Sequence, residues 1–451
     1  MNVGAKLLIV GASCLAAFTP ARSQDQAAAP RHITLQEAVQ LALKHNHLVR
    51  IAGFRVEEKQ HAKEVARSEY LPTIDNDTKA FHVTDSQFIQ LAAGSLGTVG
   101  GTPIPEQSDI INQGGHTFVV SNTTLVEPLT QLFSKVKPAN DIASAELGAS
   151  RANALRTANE VALQVHQIYY RVLIAQLQRT AIQTKIKAAQ DLQSERTEQV
   201  KYGSTLEEGL IESRAQFLQA KQQLLATELA LTDLTSQLDD AIGLPLTTEL
   251  DLDPSVPEVR DTCQLNDCIK TALESHPEIV AAREDVRKAS AGVQLSKADY
   301  IPDIAAFARY SYQDNVPFLA RNFGSFGVQF SYNLFDGGRK RNALRESDAQ
   351  LAQAKENLAR VTDEVQLSVQ VAYNKLQRTR EMLSVSQELV DLRAESSRVS
   401  AQQLEKGAAL QSQADAAAAQ ELGARTQLLQ SQLDYLQASD EMTQAMGLTP
   451  Q

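Results

Sequence analysis

The sequence has no tryptophan, and its 451 residues include only 3 cysteines, 14 prolines and 21 glycines. With 13 Phe and 10 Tyr besides, and Ala, Gln, Leu, Glu and Ser filling the long segments, the composition excludes the thick mixed core of an ordinary globular enzyme. It suits long helices packed side by side. An excess of basic charge is also missing: 43 Lys and Arg face 54 Asp and Glu, a formal charge of −11. Nucleic acid is therefore excluded as a partner, because phosphate binding needs clustered cations. After the first two dozen residues no stretch approaches eighteen consecutive apolar residues, so a membrane crossed by this chain is crossed by strands. Catalytic constellations are absent too. No Ser, His and Asp stand in a recognisable context, and "GGTP" and "DGGRK" lack the spacing of phosphate loops.

The first residues have a purpose of their own. Lys6 precedes an apolar stretch from Leu7 to Phe18, and small residues follow at Ala21 and Ser23. This is the pattern of a secretory signal peptide over residues 1–23, too short to span a bilayer. Cys14 leaves a second reading, in which it becomes a lipidated first residue, although Gly11 stands where such signals carry Leu or Val. The exported chain then keeps Cys263 and Cys268, five apart, which in an oxidising compartment invites a disulfide.

The remainder is written twice. "LALKHNH" (41–47) leads to "SEYLPTI" (68–74), and "KTALESHPEI" (270–279) leads to "ADYIPDI" (298–304). Glu160, Val161, Leu163, Val165 and Tyr169 recur as Glu364, Val365, Leu367, Val369 and Tyr373, while "AIGLP" (241–245) recurs as "AMGLT" (445–449). The first repeat covers 24–243, a proline-rich linker 244–262, and the second repeat 263–451. An insertion in the first copy, Gly- and Pro-rich over 84–116, reads as a mobile loop. Each repeat predicts a helix (Leu35 to Tyr70, Leu265 to Tyr300) stopped by Pro72 or Pro302, two strands, a very long helix, a glycine break, and a last helix. Thr34 and Glu37 form a capping box, with Ile33 and Ala38 at the staple positions. Cys263 and Cys268 align with that staple, so a disulfide there would make it covalent.

Strands are expected at 73–83, 117–127, 303–313 and 324–335. In the second pair Ile304, Ala306, Ala308, Tyr310 and Tyr312 share one face, as do Phe326, Val328, Phe330, Tyr332 and Leu334, opposite small polar residues. That alternation fits a transmembrane barrel wall, lipid outside and water inside. A soluble sheet lying on helices would show the same period. Four strands cannot close a barrel, so several chains would have to share one. The tracts 138–202 and 339–406 are nearly free of helix breakers, and each extends on the order of 100 Å as a helix. Leu210, Phe217, Leu224, Leu231 and Leu238 recur in steps of seven, as do Leu422, Leu429 and Leu436, which means coiled-coil packing.

The duplicated plan, "YLP" and "YIP" at the helix-to-strand junctions, "YNLFDGGRKRNAL", and "EKGAALQSQADA" after the long helix together resemble the TolC-like outer-membrane efflux proteins. The resemblance implies a mainly α fold with a β-barrel portion: a homotrimer with a twelve-stranded barrel continuous with a helical tunnel through the periplasm. It implies outer-membrane lipid, a periplasmic adaptor protein and an inner-membrane pump as partners, and neither cofactor nor catalysis. The helix tips fall at Gly203 and Gly407, and the sheet-to-helix joints at Pro128, Gly337 and Gly338. The family's tip carries a Tyr, an Arg and pore-ringing aspartates, where this chain has Leu404, Ala409, Gln413 and Ala416. Asp415 lies close by, and Tyr202, Glu207, Glu208 and Glu212 could supply an acidic ring instead, or be ordinary solvated residues. His45, His47 and His61 raise a metal site, against which stand capping and solvation. The other overall reading is a periplasmic coiled-coil scaffold or adaptor without a channel.

Overall fold

The computed structural model describes residues 31–85, 88–112, 116–203, 207–246, 248–253, 263–316 and 320–450. The proposed leader 1–23, Cys14 and most of the linker's second half lie outside them. In chain order the elements are β1 (Arg31–Ile33), α1 (Leu35–His45), α2 (His47–Ser68), β2 (Thr73–His82), β3 (Phe88–Leu91), β4 (Thr98–Val99), β5 (Thr102–Pro103), β6 (Asp109–Asn112), β7 (Thr117–Glu127), α3 (Leu129–Ser134), α4 (Val136–Lys201), α5 (Glu207–Ile242), β8 (Leu250–Leu252), α6 (Leu265–Ser275), α7 (Pro277–Ala298), β9 (Asp303–Asp314), β10 (Asn322–Ser331), α8 (Arg339–Glu405) and α9 (Gln411–Ala445).

The first helix of each half is two helices, not one. Asn46 and His276 occupy equivalent positions with extended backbone, and each side chain accepts the N–H two residues on, that of Leu48 or Glu278. A side-chain cap inside an apolar pattern breaks the helix while the hydrophobic period runs on. Thr34 Oγ1 accepts the Glu37 N–H at 3.3 Å, but Glu37 turns to Arg31 instead of completing the capping box. Ile33 and Ala38 are fully buried, as the staple requires.

The linker hides β8, which pairs in parallel with β1, Arg31 to Leu250 and Ile33 to Leu252. Tyr169 clamps this pair to α4 through its hydroxyl, 3.1 Å from the Ile33 carbonyl and 3.0 Å from that of Asp253. Within the insertion, which the sequence marks as a mobile loop, the described residues pair β3 with β6 and β4 with β5.

The membrane-like strands form one antiparallel sheet in the order β10-β9-β7-β2, whose outer strands have no partner among the described residues. Register places Ile74 opposite Leu125, Leu125 opposite Ala308 and Ala308 opposite Phe326 on one face. On the other face Asp75 lies opposite Thr124, and Thr124 opposite Arg309. β10 ends at Ser331, four residues earlier than its alternation suggests, because its partner begins at Asp303 beside Pro302. Tyr332, Leu334 and Phe335 therefore lie beyond the ladder. On the apolar face Asn76, Thr78, Ser121 and Thr123 form a cluster bonded to itself, which satisfies polar groups that lipid could not.

Below the sheet, α4 pairs with α5, α9 with α8, and α4 with α9, giving the lateral order α5-α4-α9-α8, while α7 lies across α4 and α8. No helix among the described residues is long and apolar enough to cross a membrane.

Candidate functional site

The two joints are built differently. At the second, Gly337 and Gly338 take φ of 66° and 87°, a left-handed backbone that side chains disfavour. Asp336 secures the turn: its carboxylate accepts the Lys340 N–H at 3.0 Å and the Gly338 N–H at 2.9 Å. The bond from the Lys340 N–H is the chief reason its carboxyl lies below the usual range. At the first joint Pro128 has no capping side chain, and bracing comes from β9. There Thr130 Oγ1 accepts the Ile304 N–H at 2.7 Å, and Lys135 pairs with Asp299 at 3.0 Å.

Both long helices start at the sheet and end at the far tips. Gly203 and Gly407 turn there with φ of 69° and 70°. At the second tip the Gly407 N–H returns to the Leu404 carbonyl and the Ala408 N–H to that of Gln403, closing the helix end. Tyr202 is exposed beside the first tip, and Glu207 and Glu208 occupy the first turn of α5, where the helix dipole favours anions. Glu212 accepts from Gln216, and Asp415 from Gln411. Gln413, which stands at an aspartate position of the resembled family, reaches back to the Leu410 N–H and caps α9. The acidic candidates thus share the end of the molecule far from the sheet, with Tyr202 to Glu212 on one tip and Asp415 on the other.

Cys263 and Cys268 have Cα atoms 5.7 Å apart with their sulfurs at bonding distance, and Cys268 is fully buried. The three histidines do not converge. His61 pairs with Glu64, and His45 packs its Cβ under the Gly243 turn.

Sequence reasoning missed the contacts between the halves. Along the stripe of α4 that faces α9, Asn159 donates to the Gly447 carbonyl at 3.1 Å and accepts from Thr449. Farther on, Asp440 Oδ2 lies 2.7 Å from His166 Nδ1 and accepts the Tyr170 hydroxyl at 3.1 Å. Burial and then the Asp440 charge push the Tyr170 hydroxyl up. A histidine inside an apolar heptad stripe was the available signal. Asp239 is buried near the end of α5, its carboxyl pushed up to about 6 by burial.

The repeats also differ in exposure where their sequences agree. Leu163, between Asn159 and His166 on that stripe, is 8% exposed, whereas its counterpart Leu367 on α8 is 65% exposed. Leu433 on α9 is 3% exposed, whereas its counterpart Leu229 on α5 is 65% exposed. These two leucine positions, buried on α4 and α9, are bare on the two outer helices.

A family described as outer membrane efflux protein matches residues 268–448. Outer membrane efflux protein BepC of Brucella suis is 28% identical over 121 residues, 26% of each chain. Protein CyaE of Bordetella pertussis is 29% identical over 196 residues, 42% of this chain and 41% of the relative. The matched stretches thus span between a quarter and two fifths of those relatives. The Campylobacter jejuni CmeC outer membrane channel superposes with a TM-score of 0.72 at 15% identity, over 92% of this chain and 85% of that one. At that identity the likeness is one of fold.

Proposed function

We propose that this chain is the outer-membrane duct of a tripartite efflux or type I secretion system, carrying cargo passively from periplasm to exterior, a reading supported by its match over residues 268–448 to the outer membrane efflux protein family. It lies in the outer membrane of a Gram-negative cell and extends into the periplasm. The observation that carries the reading is the continuity of a four-stranded sheet, apolar on one face along β9 and β10 and without strand partners at either edge among the described residues, with helices on the order of 100 Å long. Open edges are not tolerated in lipid, so neighbouring copies must pair β2 with β10. Three copies supply twelve strands, enough to close a barrel.

The helical layer supports the same ring. Applying the α4–α9 packing to the bare stripes sets α8 of one copy against α5 of the next. Leu367 and Leu229 are then buried as Leu163 and Leu433 already are. The His166–Asp440 contact becomes Gln370 facing Ser236 of the neighbouring copy. Repeating the step closes a tunnel under the barrel. Its tips, at Gly203 and Gly407, would meet a periplasmic adaptor and, through it, an inner-membrane pump. Glu207, Glu208 and Glu212 would ring the entrance. A leader over 1–23 delivers the chain to an oxidising compartment, where the Cys263–Cys268 pair would lock the start of the second repeat. Catalysis has no part in this reading.

Purified protein in planar lipid bilayers should conduct ions with a preference for cations. E207Q/E208Q/E212Q should reduce that preference severalfold, roughly the effect of removing a charged ring from a pore, while conductance persists. Recovery of the chain as a soluble periplasmic monomer without conductance would favour the scaffold reading instead.

A further inference from the structure

The second joint carries charge that the duct does not use. Arg339, Lys340 and Arg341 open α8, and Arg345 follows one turn later. Farther along the helices, arginines face carboxylates three or four residues away: Arg360 with Glu364, Arg378 with Glu381, Arg398 with Glu395, Arg425 with Glu421. Among the described residues, none of the cations at the joint has such an ion pair. Lys340 instead sits 4.9 Å over the Tyr332 ring, and Asp336 gives both oxygens to backbone N–H groups. Three cations in a first turn also oppose the helix dipole, against which the fold sets only the Tyr332 ring contact of Lys340 and the nearby charge of Asp336. At the first joint the free charge is smaller: Lys135 is engaged by Asp299 and Asp303, and Lys137 is the next cation.

Beside these cations are some of the barest apolar side chains in the protein, Leu334 at 90% and Phe335 at 87% exposure. Leu334 keeps the parity of Phe326, Val328 and Phe330 on the apolar sheet face, and Phe335 follows it past the end of the ladder. Apolar surface passing directly into cations that form no ion pair among the described residues is the chemistry of a bilayer edge with anionic headgroups, not that of a water-facing loop.

We propose that Arg339, Lys340 and Arg341 form a basic collar that binds the phosphodiester headgroups of anionic phospholipids in the periplasm-facing leaflet, with Leu334 and Phe335 among the acyl chains. The collar rests on the duct reading, because it needs the sheet to lie in the membrane. A ring of copies would repeat it around the barrel.

The test is competition between phosphatidylglycerol and phosphatidylcholine for the full-length assembled protein in mixed nanodiscs, read by native mass spectrometry of retained lipid. Wild type should favour phosphatidylglycerol by about a hundredfold, at roughly fivefold per cation near an anionic lipid surface. The preference should weaken with salt. R339Q/K340Q/R341Q should lose most of it, while R339K/R341K should keep it, which separates charge from folding. An inserted wild type without preference would overturn the collar and leave the duct standing, and so would inorganic phosphate displacing the lipid as effectively as phosphatidylglycerol does. Failure of the wild type to enter bilayers would overturn both.

Discussion

Replacing Leu367 with aspartate should leave a folded helical monomer and abolish its assembly into a ring. In the single chain this position is 65% exposed, so a carboxylate there meets water and costs the fold little. In the assembled ring the same position is buried like Leu163, and an unpaired carboxylate loses about 3 kcal/mol or more at every seam. That corresponds to roughly a hundredfold per seam, multiplied around the ring. Size-exclusion chromatography with light scattering distinguishes the two states. L229D should behave in the same way from the other side of the seam. By contrast L163D, which places the charge at the buried α4–α9 seam, should damage the monomer itself. Assembly of L367D at wild-type concentrations would mean that the bare stripe of α8 is not an interface.

Asp440→Ala should loosen the two repeats from each other. Asp440 Oδ2 serves His166 and Tyr170 together, and the histidine side chain is 1% exposed. Truncation leaves both groups buried without their acceptor, at about 3 kcal/mol in all. Asp440→Asn keeps an acceptor and should recover much of that loss. Hydrogen exchange along α4 and α9 reads the effect locally, with protection falling near His166 and staying unchanged at the sheet. Unchanged exchange in D440A would show that apolar packing alone holds this seam.

These predictions draw on features of unequal visibility in the sequence. The long helices were legible almost to the residue, Val136–Lys201 against 138–202, because heptads and glycine breaks are local signals. Strand β7 lies at Thr117–Glu127, where a strand is expected, although its alternation is weaker than that of β9 and β10. The breaks at Asn46 and His276 were not legible, since each is a cap set inside an uninterrupted apolar pattern. β8 escaped because its pairing with β1 joins residues 219 apart and leaves a three-residue strand with no period to read. The ladder end at Ser331 depends on where another strand begins. Alternation alone does not contain that information.

The tips divide in the same way. Gly203 and Gly407 announced their turns, and both adopt the positive φ that favours glycine. The role of the acidic residues around them stayed hidden, because Glu207 and Glu208 also suit a helix N-terminus, and Gln413 serves as a cap. Most of the seam chemistry was invisible until α4 and α9 were side by side. Only then does aligning the repeats show which residues of α8 and α5 lack the partners that their counterparts have.

The central claim is that identical copies close the tunnel by repeating between chains the packing that each chain already contains. Cysteines introduced at Ser236 and Gln370, on outer helices separated within the chain by α4 and α9, test it most directly. With a short thiol cross-linker applied to membranes, the account predicts dimers and trimers for S236C/Q370C and only monomers for either single variant. Monomers throughout, from protein that fractionates with the outer membrane, would contradict it.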